Sequence, residues 1–118
     1  MASEIIFYNL RDDVKEEDYV RRCEYHKGPL LLGLPGSRSF TLLKMMKGVR
    51  GEGHKGSPPD QTEPPFNYVG ILDLASFEEW AKARESEAFK EFLSQWLSKW
   101  VAGFYILGGV ELYHGENG

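Results

Sequence analysis

Four short runs of this chain are apolar without alternating: Ile5-Ile6-Phe7-Tyr8, Phe40-Thr41-Leu42-Leu43, Tyr68-Val69-Gly70-Ile71-Leu72 and Phe104-Tyr105-Ile106-Leu107. Each is rich in β-branched or aromatic residues and too short for an independent helix, so each reads as a strand. A strand with one wet face alternates apolar and polar residues with a period of two. These runs are apolar on both faces. They predict strands over Glu4 to Leu10, Ser37 to Met46, Phe66 to Leu74, and from Gly103 to about Tyr113.

Two segments carry helical spacing instead. In the first, Asp13 and Glu16 form a capping-box pattern, and Tyr19, Val20, Cys23 and His26 recur so as to share a buried face. Gly28-Pro29 is expected to interrupt that helix, with Leu30 to Leu34 adding a further turn before Pro35-Gly36 stops it. In the second, Ser76 and Glu79 form a better capping box, a break is expected near Ser86, and Phe89, Phe92, Leu93, Trp96, Leu97, Trp100 and Val101 make a broad apolar stripe. Between the halves, residues 48–65 concentrate glycine and proline without apolar periodicity. They read as a long flexible loop, placed to cross a pocket mouth or an oligomer edge.

The order is β-α-β, loop, β-α-β. It predicts a single α+β domain over residues 1–118: the ferredoxin-like βαββαβ arrangement, a four-stranded antiparallel sheet with both helices on one face. Nothing left in the chain can cover the other, equally apolar face. A second copy is the simplest cover, which gives a homodimer whose two sheets form an α/β barrel.

Composition narrows the function. Net charge is −4, from 14 basic and 18 acidic residues that are intermixed, so there is no cationic footprint for nucleic acid. Arg21, Arg22 and Lys27 lie among Glu17, Asp18 and Glu24 and read as a solvated helix face. The one cysteine, Cys23, cannot form an internal disulfide and reads as a buried thiol, which favours a reducing, cytoplasmic setting. No signal-like start or membrane-length apolar stretch is present, so no membrane role is expected.

The chain resembles the dimeric α/β-barrel superfamily. Within it, Leu34-Pro35-Gly36-Ser37-Arg38-Ser39-Phe40 and Pro65-Phe66-Asn67-Tyr68-Val69-Gly70-Ile71-Leu72-Asp73 resemble the RedY/HapK-like family of prodiginine-type gene clusters, and Ile5 to Leu10 and Phe104 to Leu107 fit the same pattern. The stretch from His26 through Leu34-Pro35-Gly36 also resembles the EthD-like pattern, with one extra residue between His26 and Pro29. The superfamily includes cyclases, isomerases, cofactor-free monooxygenases, haem degraders and proteins without known activity. The resemblance implies an aromatic or polyketide-like ligand, held between sheet and helices, more than it implies a reaction.

Candidate chemistry follows. His26, at the helix end, has a side chain suited to proton transfer near neutrality, against the plainer reading of an imidazole bonded to a backbone carbonyl. Tyr68 and Asn9 are polar groups within apolar strands, each either bonded structurally or aimed at a ligand. Trp80 and Trp96 suit the wall of a site for a flat molecule, against a core role. His54 and His114 have no metal-ligand neighbours at ligand spacing, so no metal is expected. Gly51-x-Gly53 lacks the strand-to-helix context of a nucleotide loop. The haem route of the superfamily expects a histidine in the second helical region, which has none. The reading is a homodimeric binder of a small aromatic or polyketide-like metabolite that needs no cofactor. Any catalysis would be a cyclisation, isomerisation or dehydration, with His26 and Tyr68 catalytic and Asn9, Trp80 and Trp96 binding substrate. The alternatives are a non-catalytic accessory protein and a cofactor-independent monooxygenase.

Overall fold

The computed structural model describes residues 2–51 and 60–117. The four apolar runs form β1 (Ala2–Leu10), β2 (Ser37–Lys44) and two later strands, β5 (Tyr68–Leu74) and β6 (Val101–Val110). They make one antiparallel sheet in the order β2-β5-β1-β6. Tyr8 pairs with Tyr68 and Phe104, and Ile6 with Gly70 and Ile106, so these residues share one face. Ile6, Tyr8, Leu72 and Leu74 are buried there with Tyr19, Trp80 and Trp96, which locates the core between sheet and helices. The opposite face carries Ile5, Phe7, Leu43, Val69, Ile71, Tyr105 and Leu107. This is the ferredoxin-like α+β arrangement, and the two-sided apolar strands are its cause.

The stretch between β2 and β5 departs from expectation. Its described ends form a small ribbon, β3 (Gly48–Arg50) against β4 (Asp60–Thr62), with Val49 opposite Gln61. Backbone pairing supplies an order that its side chains do not advertise. Residues 52–59, His54 among them, lie outside the described residues.

The second helical region comprises α3 (Phe77–Ala83), α4 (Glu87–Gln95) and a π-helical turn over Trp96–Trp100. The Ser76 hydroxyl accepts from the Glu79 amide at 3.1 Å and the Ser86 hydroxyl from the Phe89 amide at 3.2 Å, so the expected cap and the expected break are both helix starts.

The first region begins differently from the expected capping box. The helix α1 (Glu16–Arg22) has Lys15 at its N-cap with no side-chain cap, while Val14 N–H bonds Arg11 C=O in a preceding turn. Glu16, Glu17 and Asp18 in the first turn complement the helix dipole instead. Nor does Gly28-Pro29 interrupt the helical path. A π-helical turn (Cys23–Lys27) leads straight into α2 (Gly28–Leu32). The Gly28 amide bonds the Cys23 carbonyl, and a Cβ at Gly28 would lie 2.8 Å from that oxygen, which only glycine avoids. Pro29, in the first turn of α2, has no N–H to leave unpaired.

That wide turn decides which side chains face inward. An α-helix advances about 100° per residue, so a spacing of four drifts by about 40° at each step, and a π turn takes back part of the drift. Tyr19, Cys23, Lys27 and Leu31 therefore all point into the core. His26 is left half-buried at the margin and Val20 is exposed. Lys27, expected on a solvated face, is only 2% exposed.

Candidate functional site

Lys27 is the least expected group in the molecule. Its Nζ donates to the Tyr19 hydroxyl at 3.0 Å. It lies 4.9 Å from the centre of the Trp96 ring, 5.0 Å from Tyr8, 5.1 Å from Phe40 and 5.6 Å from Tyr19. Ring faces at these distances attract a cation. Among the described residues no carboxylate pairs with it. Burial brings its pKa down from the ordinary 10.5 to about 8, with Cys23 acting the other way. Gly70 makes room for one wall of this cage: a Cβ there would lie 3.3 Å from Phe40 Cε1.

The Tyr19 hydroxyl is the hub beneath Lys27. It accepts from Lys27 and from Trp96 Nε1 at 2.9 Å, and donates to the Tyr8 hydroxyl at 2.8 Å. Its donor and both acceptor positions are thereby used. Burial holds the Tyr8 and Tyr19 phenols protonated well above their ordinary value, and it raises the Cys23 thiol as well, against the pull of Lys27.

An open groove of about 680 Å³ runs between the first helical region and edge strand β2. Val20, Pro29, Leu32, Phe40 and Leu42 give it apolar walls. One end is polar: the Tyr68 hydroxyl donates to Glu16 Oε1 at 2.8 Å, and Lys44 Nζ lies 3.0 Å from the same oxygen. The Lys44 contact, then that of Tyr68, keeps the Glu16 carboxyl below its ordinary range. Burial, and then its bond to Glu16, raises Tyr68 to about 12. A smaller cavity of about 100 Å³ lies on the inner side of Lys27, between the sheet and α4.

The residues singled out from sequence are distributed among these places. Tyr68 lines the groove; Trp80 and Trp96 line the inner cavity. Trp80 Nε1 donates to Glu4 Oε2 at 3.0 Å, so both indoles are also anchored in the core. His26 lines neither space; its ring stands edge-on to Phe92 at 6.3 Å, and burial followed by Arg22 lowers its pKa. Asn9 is engaged by backbone, accepting from Asn67 N–H at 2.9 Å and donating to Pro65 C=O at 3.4 Å. Tyr8, Tyr19, Glu16, Phe40 and Lys27 were missed. The signal for Lys27 was the strict four-residue spacing Tyr19, Cys23, Lys27, Leu31, followed by Gly28-Pro29.

The geometry defines a ferredoxin-like α+β protein with ligand-sized spaces between its sheet and its helices. Residues 2–108 match the family model for REDY-like protein HapK, and the chain belongs to that family. Among solved structures, HapK from Hahella chejuensis is similar over 100% of this chain and 99% of its own, at 16% identity and a TM-score of 0.69. A protein from Arabidopsis thaliana matches over 98% of this chain and 100% of its own, at 13% identity and a TM-score of 0.73. A dimeric ferredoxin-like protein of unknown function from Thermobifida fusca matches over 93% and 90%, at 12% identity and a TM-score of 0.60. At these identities the likeness shows the fold alone. No curated protein matches the sequence. Among the described residues no helix is long and apolar enough to cross a membrane, and no cluster of three or more metal-ligating side chains occurs.

Proposed function

We propose that this protein is a homodimer that binds a small, largely apolar aromatic or polyketide-like metabolite in the groove between the first helical region and β2. The observation that carries the reading is the polar end of that otherwise apolar groove, where Tyr68, Glu16 and Lys44 converge within 3.0 Å contacts. Apolar walls with a few convergent polar groups are what a small-molecule site requires. Tyr68 stays protonated at neutral pH, and its one proton, given to Glu16 in the structure, would turn to a ligand carbonyl or phenolate oxygen on binding. Glu16, ionised beside it, can accept a proton. Together they suit cofactor-free enolisation, the step shared by cyclisation, isomerisation and dehydration of carbonyl compounds.

A second reading, binding without catalysis, draws support from the same cluster. Lys44 holds Glu16 ionised and thereby makes it a weak base. The homodimer reading rests on the outer sheet face, where Tyr105 and Leu107 are about half exposed beside Ile5, Phe7 and Ile71 and, among the described residues, no helix covers them. Apolar faces of this kind mark association surfaces.

The test uses 2-tetralone, an aromatic ketone too large for the inner cavity, whose α-protons exchange slowly with solvent. Binding in the groove predicts saturable quenching of protein fluorescence that Leu42→Glu abolishes. Catalysis predicts accelerated deuterium exchange that falls at least about tenfold in Tyr68→Phe and Glu16→Gln. Binding without exchange selects the second reading; binding unaffected by Leu42→Glu refutes the groove.

A further inference from the structure

The inner cavity poses a separate question, because Lys27 also reaches it. Its walls include Ile6, Leu72, Trp80, Phe89, Trp96 and Ile106, and its volume is about 100 Å³. An apolar cavity of about 150 Å³ takes benzene, so this one suits a molecule of a few heavy atoms. A lysine is almost never fully buried unless paired. Among the described residues this one has a single hydrogen bond, to a phenol, although its amine carries more donors than that.

We propose that Lys27 is a reactive amine that condenses with a small aldehyde or ketone in the inner cavity to form an imine. The neutral Nζ attacks the carbonyl carbon with its lone pair, forming the C–N bond as the C=O π electrons move to oxygen. A proton passes from nitrogen to that oxygen, giving a carbinolamine. The hydroxyl then leaves as water, taking up the remaining nitrogen proton, and C=N forms. Amine and carbonyl give imine and water, with no oxidant or reductant.

Three features of the surroundings favour this. The four ring faces that attract an ammonium also attract the imine once its nitrogen takes up a proton from solvent, so the adduct keeps cation–π stabilisation. The Tyr19 hydroxyl, 3.0 Å from Nζ and relayed to Tyr8, is placed to hold the proton in transit. Desolvation in an apolar pocket leaves part of the amine neutral near pH 8, which is how buried lysines become nucleophiles. The other titratable or charged groups facing Lys27 or its cavity are Cys23, Glu4 and Arg84, and none forms an ion pair with it. The inference does not depend on the groove reading.

Propanal and sodium cyanoborohydride at pH 8, followed by peptide mass mapping, test it. Lys27 should be propylated at least about tenfold faster than exposed Lys44 and Lys90. Naphthaldehyde, too large for the cavity, should label those two but not Lys27. Leu93→Phe, which fills the cavity, should slow Lys27 alone, while Leu32→Glu, on the groove wall, should leave its rate unchanged. Lys27 that stays unmodified, or reacts no faster than the exposed lysines, overturns the proposal. So does a rate that Leu32→Glu suppresses and Leu93→Phe does not.

Discussion

Tyr19 and Lys27 stand eight residues apart, yet the amine of one donates to the hydroxyl of the other across 3.0 Å. In an unbroken α-helix that separation leaves the two side chains about 80° apart around the axis. The π-helical turn at Cys23–Lys27 removes much of the offset, and helical side chains lean toward the N-terminus, so the long lysine stem spans the turn. Because Tyr19 also bonds Trp96 and Tyr8, one phenol joins both helical regions to the sheet.

Stability should depend on pH through Lys27. Its value in the fold is about 8 against an ordinary 10.5, so between those values the unfolded chain holds more protons and stability rises with pH. Below pH 8 the cost of burying the charge is fully present. The interval corresponds to roughly 3 kcal/mol. Urea titrations from pH 7.5 to 10 should show the rise as the difference between wild type and Lys27→Met, because the Cys23 thiol, raised by burial, ionises first in the unfolded chain of both proteins and pulls each curve the other way. Work above pH 10 is to be avoided, because Tyr8 and Tyr19 ionise first in the unfolded chain and reverse the trend. A difference between the two curves that is level across the window contradicts the assignment.

The two phenols of the network should differ in weight. Tyr19→Phe strands two buried donors, one of them charged, and should cost about 2–5 kcal/mol. Tyr8→Phe removes one acceptor and should cost about 1–2 kcal/mol. Chemical denaturation that ranks them the other way would move the hub to Tyr8.

Asn9 is expected to be structural. Asn9→Ala frees the backbone at Pro65 and Asn67 on the approach to β5, at a cost of about 0.5–1.5 kcal/mol for these exposed bonds. Its affinity for 2-tetralone should stay within about twofold of wild type. A tenfold loss in titration with unchanged stability would return Asn9 to the site.

Leu107→Glu tests the proposed dimer. The residue is on the outer sheet face beside Ile5, and a carboxylate there would be buried in a face-to-face pairing of two sheets. Sedimentation should shift from dimer to monomer while circular dichroism stays unchanged. A monomeric wild-type protein at micromolar concentration ends the proposal.

The strands and the second helical region were legible in the residues because their signals are local. Non-alternating runs around Ile5-Ile6 and Tyr68 to Leu72, short and rich in β-branched and aromatic residues, read as strands apolar on both faces, and Ser76 caps through an amide three residues away. The ribbon of β3 and β4 was invisible, since pairing of Gly48 with Thr62 is made by backbone and leaves no side-chain periodicity. The same limit hid Lys27. In sequence it is one cation among acidic neighbours, and solvent is the cheapest place for such a group. Its burial depends on Tyr8 from β1, Phe40 from β2 and Trp96 from beyond α4 arriving around one nitrogen. Four ring faces and a phenol offset enough of the desolvation cost for the amine to stay inside, and only folding brings them together.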